Sequence, residues 1–320
     1  MKKIAVLTSG GDAPGMNAAI RAVVRRGISL GLEVYGVHRG YQGIIEKQFE
    51  KLEAISVAGV IQRGGTILQT ARSEQFRTFE GRQLGINNLN ELGIEGLIVV
   101  GGDGSMRGAE ALSLESEIKT MVIPGTIDND VAGTDYTIGF DTALNNILEA
   151  INKIRDTAAS HQRVAVVEVM GRKSGQLALS SGLSSGAEVI LVPEIAWTLD
   201  EVCERIRESH SKGKVYSIVL VAEGAGKGSE IGDGIEKGTG AEVNVTVLGY
   251  LQRGGSPSAV DNIVGTRLGA RAVDELCRGK SNSLIGIQGN RVVSVPYEEA
   301  KQMKTGLDLE LYELATGLSR

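Results

Sequence analysis

Short runs of β-branched and apolar residues, most of them followed by glycine-bearing turns, recur along this chain and leave it few folds to choose from. KIAVLT (Lys3 to Thr8) leads into SGGDAPG, LIVV (Leu97 to Val100) into GGDG, and MVIP (Met121 to Pro124) into GTIDND. RVAVVEV (Arg163 to Val169), VILV (Val189 to Val192) and YSIVLVA (Tyr216 to Ala222) repeat the apolar run. Continuous apolar strands suit a sheet covered on both faces. Between them lie helical stripes. Ile20, Val23, Val24 and Ile28 form one, and Leu144, Ile147, Leu148, Ile151 and Ile154 form another at i, i+3, i+4 spacing. Strand and helix in alternation predict an α/β, doubly wound architecture, whose ligands sit at the carboxyl ends of the strands, where these turns fall. At 320 residues the chain exceeds the usual single domain, so two domains are expected.

The charge balance excludes some partners. Basic residues number 34 and acidic ones 39, a net charge of −5, which gives no basic field for nucleic acid. A small anionic ligand must be met by local basic groups. The two cysteines, Cys203 and Cys277, lack metal or redox spacing and read as buried small hydrophobes. No apolar run approaches about 20 residues and no cleavage site follows the first one, so no membrane association and a cytoplasmic location are expected. Gly224 to Gly240 is glycine-rich enough to read as a loop.

The glycine turns are where chemistry could sit. TSGGDAPGMN (Thr8 to Asn17) follows a strand and opens a helix, so Gly10, Gly11 and Gly15 let backbone N–H groups and a helix N-terminus approach an anion. In VVGGDGSMRGAEAL (Val99 to Leu112), Asp103 stands between Gly102 and Gly104, where a carboxylate could serve a nucleotide's Mg²⁺. A dinucleotide fingerprint starting at Gly102 would need glycine at 107, where Arg107 stands, and a P-loop ending at Gly279-Lys280-Ser281 would need glycine at 274, where Asp274 stands. PGTIDND (Pro124 to Asp130) puts two carboxylates in a turn, either as a capping arrangement or as part of a phosphoryl-transfer site. Asp128, Asp130 and Asp103 with Gly11 and Arg72 supply the proton acceptor, metal-side carboxylate and phosphate donors that such a site needs.

TSGGDAPGMNAAIR, ARSEQFR, GGDGS, PGTIDND, KIRDTA, VMGR and LQRGGSP, in this order from Lys2 to the final residues, resemble the bacterial ATP-dependent 6-phosphofructokinase family. The resemblance implies two three-layer α/β/α domains with a cleft between them. An ATP-binding domain covers 1–138 plus 251–305, and a sugar phosphate-binding domain covers 139–250 plus 306–320. The activity implied is transfer of the γ-phosphoryl of MgATP to the 1-hydroxyl of fructose 6-phosphate. By the same resemblance Asp128 is the base, with Thr126, Asp130 and Arg172 around the transferring group. Gly11 and Arg72 stabilise its charge and Asp103 serves the metal. Gly11, Tyr41, Arg72, Ser73, Arg77, Gly102, Gly104 and Ser105 fall at nucleotide positions. Pyrophosphate-using members carry Asp where Gly104 stands and Lys where Gly125 stands, so both glycines point to ATP.

For the sugar phosphate the resemblance implies Arg163, Met170, Gly171, Arg172, Glu223 and Arg253, together with Thr126, Asp128 and Asp130. The chain departs from the pattern at two positions, with Asn244 in place of an arginine and Tyr250 in place of a histidine. An effector site for ADP or phosphoenolpyruvate is implied at Arg21, Arg25, Arg155, Gly186, Glu188, Lys212 and Lys214, but a further arginine and aspartate of the family are Ala54 and Gly59 here. Family members are homotetramers in which Arg163 reaches a neighbour's site. A kinase for a different sugar phosphate and a non-catalytic nucleotide-binding paralogue are the alternatives, and the intact Asp103, Thr126, Asp128, Asp130 and Arg172 set argues against the second.

Overall fold

The computed structural model describes residues 1–303 and 305–319. By contact the chain divides into two units, Met1–Thr142 with Arg253–Thr305, and Ala143–Gln252 with Gly306–Arg320. The unit edges thus fall a few residues from the expected 138 and 250.

The first unit carries β1 (Lys3–Ser9), α1 (Met16–Ser29), β2 (Glu33–Val37), α2 (Gly40–Ile45), β3 (Phe49–Leu52), α3 (Phe79–Glu91), β4 (Gly96–Gly101), α4 (Asp103–Leu114) and β5 (Lys119–Pro124). The second carries most of α5 (Phe140–His161), then β6 (Val164–Val169), α6 (Gln176–Ser185), β7 (Val189–Leu191), α7 (Leu199–Ser211), β8 (Ser217–Ala222), α8 (Gly228–Thr239) and β9 (Val243–Val247). The chain then returns to the first unit for α9 (Ala259–Cys277), β10 (Ser283–Gln288), β11 (Arg291–Pro296) and α10 (Tyr297–Gln302), and ends in the second with α11 (Leu309–Leu318).

In the first unit a seven-stranded sheet has the order β11-β10-β5-β4-β1-β2-β3, parallel in its middle and closed by antiparallel β3 and β11 at the edges. Alternation along β1 divides its side chains between the faces. Ala5 and Leu7 join Tyr41, Ile44, Leu89, Met106 and Leu112 in one buried layer. Ile4 turns the other way, against Gly27 of α1. The order reverses at β1 and β4, whose carboxyl ends carry the two glycine turns.

The second unit has a four-stranded parallel sheet in the order β7-β8-β6-β9. Val164, Val166, Val219 and Val221 pack under Val202, Ile206, Ile231 and Ile235 of α7 and α8. The last two correct the reading of 224–240 as a loop: Ile231 and Ile235 form a buried i, i+4 stripe that makes 228–239 a helix. Its glycines permit close packing, since a Cβ at Gly232 would lie 2.6 Å from Val245, and one at Gly238 would lie 2.6 Å from the Cys203 sulfur. Cys203 is buried as expected, whereas Cys277, the last residue of α9, is exposed. Among the described residues no helix is long and apolar enough to cross a membrane.

Candidate active site

The cradle after β1 is built by backbone geometry. Gly10 adopts φ +89° and Gly15 +102°, both left-handed values that favour glycine. Thr70 donates to the Gly10 carbonyl at 2.8 Å, and Thr8 donates to the Gln69 carbonyl at 2.8 Å, fixing the turn against the 66–70 segment. Over Gly11 lies Arg253, whose Nη1 donates to the Asp12 carbonyl at 2.9 Å and stands 2.6 Å from where a Gly11 Cβ would be.

The turn after β4 supplies the opposite wall. Gly102 caps α4 without a side-chain acceptor, so a helix N-terminus is turned to the cavity. A Cβ at Gly104 would meet nothing within 4 Å, so this stretch of backbone is open to a ligand. Tyr41 lies beneath, stacked on Phe76 with ring centroids 4.3 Å apart, and its hydroxyl donates to the Ser105 carbonyl at 2.6 Å. Burial holds its phenol well above the usual range, as a neutral donor. Ser73 donates to Gln42 at 2.7 Å and accepts from the Phe76 amide, shaping the loop that carries Arg72 and Arg77. Arg82 holds Glu115 through both Nε and Nη2 and donates to the Arg77 carbonyl at 2.7 Å.

PGTIDND forms the floor. Gly125 bridges to Ile138, the Thr126 amide donates to the Ile138 carbonyl at 3.1 Å, and Thr137 Oγ1 donates to the Thr126 carbonyl at 2.6 Å. Asn129 turns the chain at φ +48° and accepts from the Thr137 amide at 2.8 Å, so Asp128 and Asp130 flank a fixed bend. The Asp128 amide donates to Thr126 Oγ1 at 3.2 Å. The returning segment is clamped in turn by Asp261, which accepts from the Gly139 and Thr142 amides at 2.8 Å each and from the Thr142 hydroxyl at 2.5 Å. A lysine at 125 would start 3.0 Å from Val100 and 3.1 Å from Met16, which fits glycine there.

These walls enclose a cavity of about 770 Å³ lined by Gly11, Tyr41, Arg72, Ser73, Arg77, Gly102, Gly104, Ser105, Thr126, Asp128 and Arg253. The residues expected at the nucleotide, Asp103 excepted, and Asp128 thus share one space, and Arg82, Arg107 and Gly108 line it too. Asp130 and Asp103 lie outside this lining. Asp103 stands at the first position of α4 and pairs with Arg107 at 2.5 Å. Among the described residues no three His, Cys, Asp or Glu gather into a metal centre. A lone carboxylate beside an open, glycine-lined helix N-terminus nevertheless fits Mg²⁺, which keeps several waters and takes one or two carboxylates plus substrate phosphates.

In the second unit Met170, Gly171, Arg172 and Glu223 meet at the carboxyl ends of β6 and β8. The Met170 amide donates to Gln252 at 3.1 Å, the Gly224 amide to the Gly171 carbonyl at 3.1 Å, and Arg172 lies 4.0 Å from Glu223. Gly171 has φ +131°, and a Cβ at Gly224 would stand 2.1 Å from the Arg172 carbonyl, so the two backbones pack directly. Arg163 and Asn244 do not join this group. Arg163 immediately precedes β6 and pairs with Glu242 at 2.6 Å, and Asn244 is exposed on edge strand β9 opposite Ala165, also towards the amino end of β6. Tyr250 is exposed after β9.

The expected effector residues divide likewise. Lys214 pairs with the buried Glu188, which also accepts from the Ile218 amide, while Arg155 donates to the Ser185 carbonyl and lies, like Lys214, over the Tyr216 ring. Burial lowers the Lys214 pKa from its ordinary value. Gly186, Glu188, Lys212 and Lys214 line a cavity of about 850 Å³ whose rim also carries Glu201, Glu204 and Glu208. Arg21 and Arg25 lie on α1 in the first unit.

Sequence reasoning missed Asp261, Arg82 and the place of Arg107 in the cavity lining. The Asp103–Arg107 pair was legible as an i, i+4 contact on a helix. The bond from Asp261 to Gly139 spans 122 positions and leaves no local signal.

A family model described as Phosphofructokinase matches residues 3–276. A protein of Halalkalibacterium halodurans named ATP-dependent 6-phosphofructokinase is 54% identical over 319 residues, covering 100% of both chains. One of the same name from Bacillus subtilis strain 168 is 53% identical with the same coverage. Among solved structures, phosphofructokinase from Saccharomyces cerevisiae superposes with a TM-score of 0.89 at 38% identity, over 100% of this chain and 48% of the yeast chain. A pyrophosphate-dependent phosphofructokinase from Marinobacter aquaeolei superposes at 0.87 with 21% identity, over 97% and 86%, a likeness of fold alone.

Proposed function

Because the chain belongs to the phosphofructokinase family, we infer that it is a glycolytic ATP-dependent 6-phosphofructokinase, transferring the γ-phosphoryl of ATP to the 1-hydroxyl of fructose 6-phosphate. The observation that carries this reading is the shared cavity, in which Asp128 and Thr126 open onto the same space as Gly11, Gly104 and Arg72. Asp128 accepts the hydroxyl proton as the oxygen attacks, a role that typically contributes ~10²–10⁴-fold. The Gly11 amide, Arg72 and the N-terminus of α4 stabilise charge on the transferring group, and Asp130 completes its surroundings. Tyr41, Ser73, Arg77, Gly102 and Ser105 shape the nucleotide's seat. Mg²⁺ arriving with the nucleotide would be held by Asp103 and supplies neutralisation of the phosphates.

Met170, Gly171, Arg172 and Glu223 take the sugar. Since Arg163 and Asn244 stand at the other end of β6, they serve the sugar phosphate site of a second copy in a homotetramer. Arg155, Gly186, Glu188, Lys212 and Lys214 of one copy, with Arg21 and Arg25 of another, form the effector site for ADP or phosphoenolpyruvate. Ala54 and Gly59 weaken it, so the enzyme responds little to either. A cytoplasmic location follows from the reaction's substrates.

The test is the initial rate of ADP formation against fructose 6-phosphate at saturating MgATP. Saturable turnover that falls by about 10² or more in Asp128→Ser supports the assignment. Turnover only with another sugar phosphate would replace the acceptor, and nucleotide binding without turnover would make the chain a binding protein.

A further inference from the structure

Arg107 places a cation at the amino end of α4, where the helix dipole disfavours one. Side chains of a helix lean towards its N-terminus, so residue 107 reaches back one turn and its Nη2 donates to Asp103 Oδ2 at 2.5 Å. The two side chains are 68% and 50% exposed, and such pairs add little to folding. The pair's position gives it another use. Arg107 lines the nucleotide cavity with Gly104 and Gly108 of the same helix. Asp103 itself is not part of that lining but stands between Gly102 and Gly104, which are, and uncompensated it would repel the polyphosphate of any nucleotide that arrives without its metal.

We propose that Arg107 is the resident counter-cation of this site. It neutralises Asp103 when no divalent cation is bound, which lets the site hold metal-free nucleotide, and it gives up Asp103 when a divalent cation arrives. The guanidinium holds only one of the two carboxylate oxygens, and a divalent ion bound to that carboxylate repels the guanidinium and is the stronger partner for its charge. Released, the guanidinium returns to water, to which it is already 68% exposed, so the metal-loaded complex loses little. The proposal rests on the nucleotide reading of the cavity given above, and its consequence is that Arg107 matters most when the metal is absent.

The experiment is isothermal titration calorimetry of the full chain with ADP, once in EDTA and once in excess MgCl₂. The proteins are the unmodified chain, Arg107→Gln, Asp103→Asn and the double variant. Arg107→Gln is expected to weaken ADP binding in EDTA roughly 10-fold, the effect of one screened unit charge a few ångström away in an open cleft. In MgCl₂ the loss should stay below about 3-fold. In the Asp103→Asn background the loss in EDTA should shrink to a similar size, because no carboxylate remains to be neutralised. An equal loss in both buffers would make Arg107 an ordinary phosphate ligand and overturn the proposal. So would an undiminished loss in the Asp103→Asn background, or no loss in EDTA. If the unmodified chain binds no ADP even with MgCl₂, the nucleotide reading fails and the proposal with it; the unmodified chain's isotherm separates the two failures. Both residues sit on an exposed helical turn, and circular dichroism of each variant checks the fold.

Discussion

Asp261 is where folding and catalysis are coupled most directly. Its carboxylate is fully buried and takes three donors: the Gly139 amide, the Thr142 amide and the Thr142 hydroxyl. Asp261→Ala leaves all three without their acceptor. Each buried unpaired donor costs about 1–3 kcal/mol. The hydroxyl can rotate to another partner and removal of a buried carboxylate returns part of the loss, so a destabilisation of about 3–5 kcal/mol is expected. Asp261→Asn keeps one acceptor oxygen but turns an amide towards a donor, and should cost about half as much. The clamped segment holds the Thr126 backbone through Ile138 and Thr137, so kcat should fall in both variants while they are still folded. Burial raises the Asp261 carboxyl above its ordinary value, and hydrogen bonds from Thr142 and Gly139 offset only part of this. A raised folded-state pKa stabilises fully below the unfolded value, about 3.9, and that contribution is lost as the pH rises through the folded one. The stability difference between the unmodified chain and Asp261→Asn should therefore narrow from pH 4 towards neutrality. Urea unfolding followed by circular dichroism at several pH values, paired with kcat in the absence of urea, measures all of this. A loss below about 1 kcal/mol in Asp261→Ala, with kcat unchanged, would refute the clamp.

Asn244→Arg restores a charged donor on an exposed strand position and should lower the KM for fructose 6-phosphate roughly 10- to 150-fold with the KM for ATP unchanged, read from steady-state rates. An unaltered sugar phosphate KM would count against the assigned role of this position. Gly224→Ala drives a Cβ to within 2.1 Å of the Arg172 carbonyl, so the 170–172 turn must shift. The sugar phosphate KM should rise at least 10-fold, while ADP binding measured by calorimetry stays as it was. Lys214→Met strands the buried Glu188 without its cation and should destabilise the protein by about 3 kcal/mol in urea unfolding, and a change under about 1 kcal/mol would show that the Ile218 amide suffices.

Local pattern made the active-site turns legible, and local pattern also set the limit. Strands such as 97–100 and 217–222 are buried on both faces and therefore read as unbroken apolar runs. The edge strand 243–247 alternates with polar residues and exposes Val245 and Val247, so no continuous run announces it. Glycine acts in opposite senses in the two units. At 10 and 15 it supplies the left-handed backbone of the turn after β1, which its place after a strand betrays. At 232 and 238 it lies inside a helix for the closeness it allows to β9 and α7, and only the partner surfaces reveal that use. A site whose donors are backbone amides at strand ends is thus written in neighbouring residues. The groups that hold it in place are not, because residues 143–252, most of the second unit, lie in the chain between Gly139 and Asp261. Arg107 falls between these cases: its contact with Asp103 is one helical turn long and visible in the sequence, but its purpose depends on the cavity that Gly11, Tyr41 and Asp128 close from elsewhere in the chain.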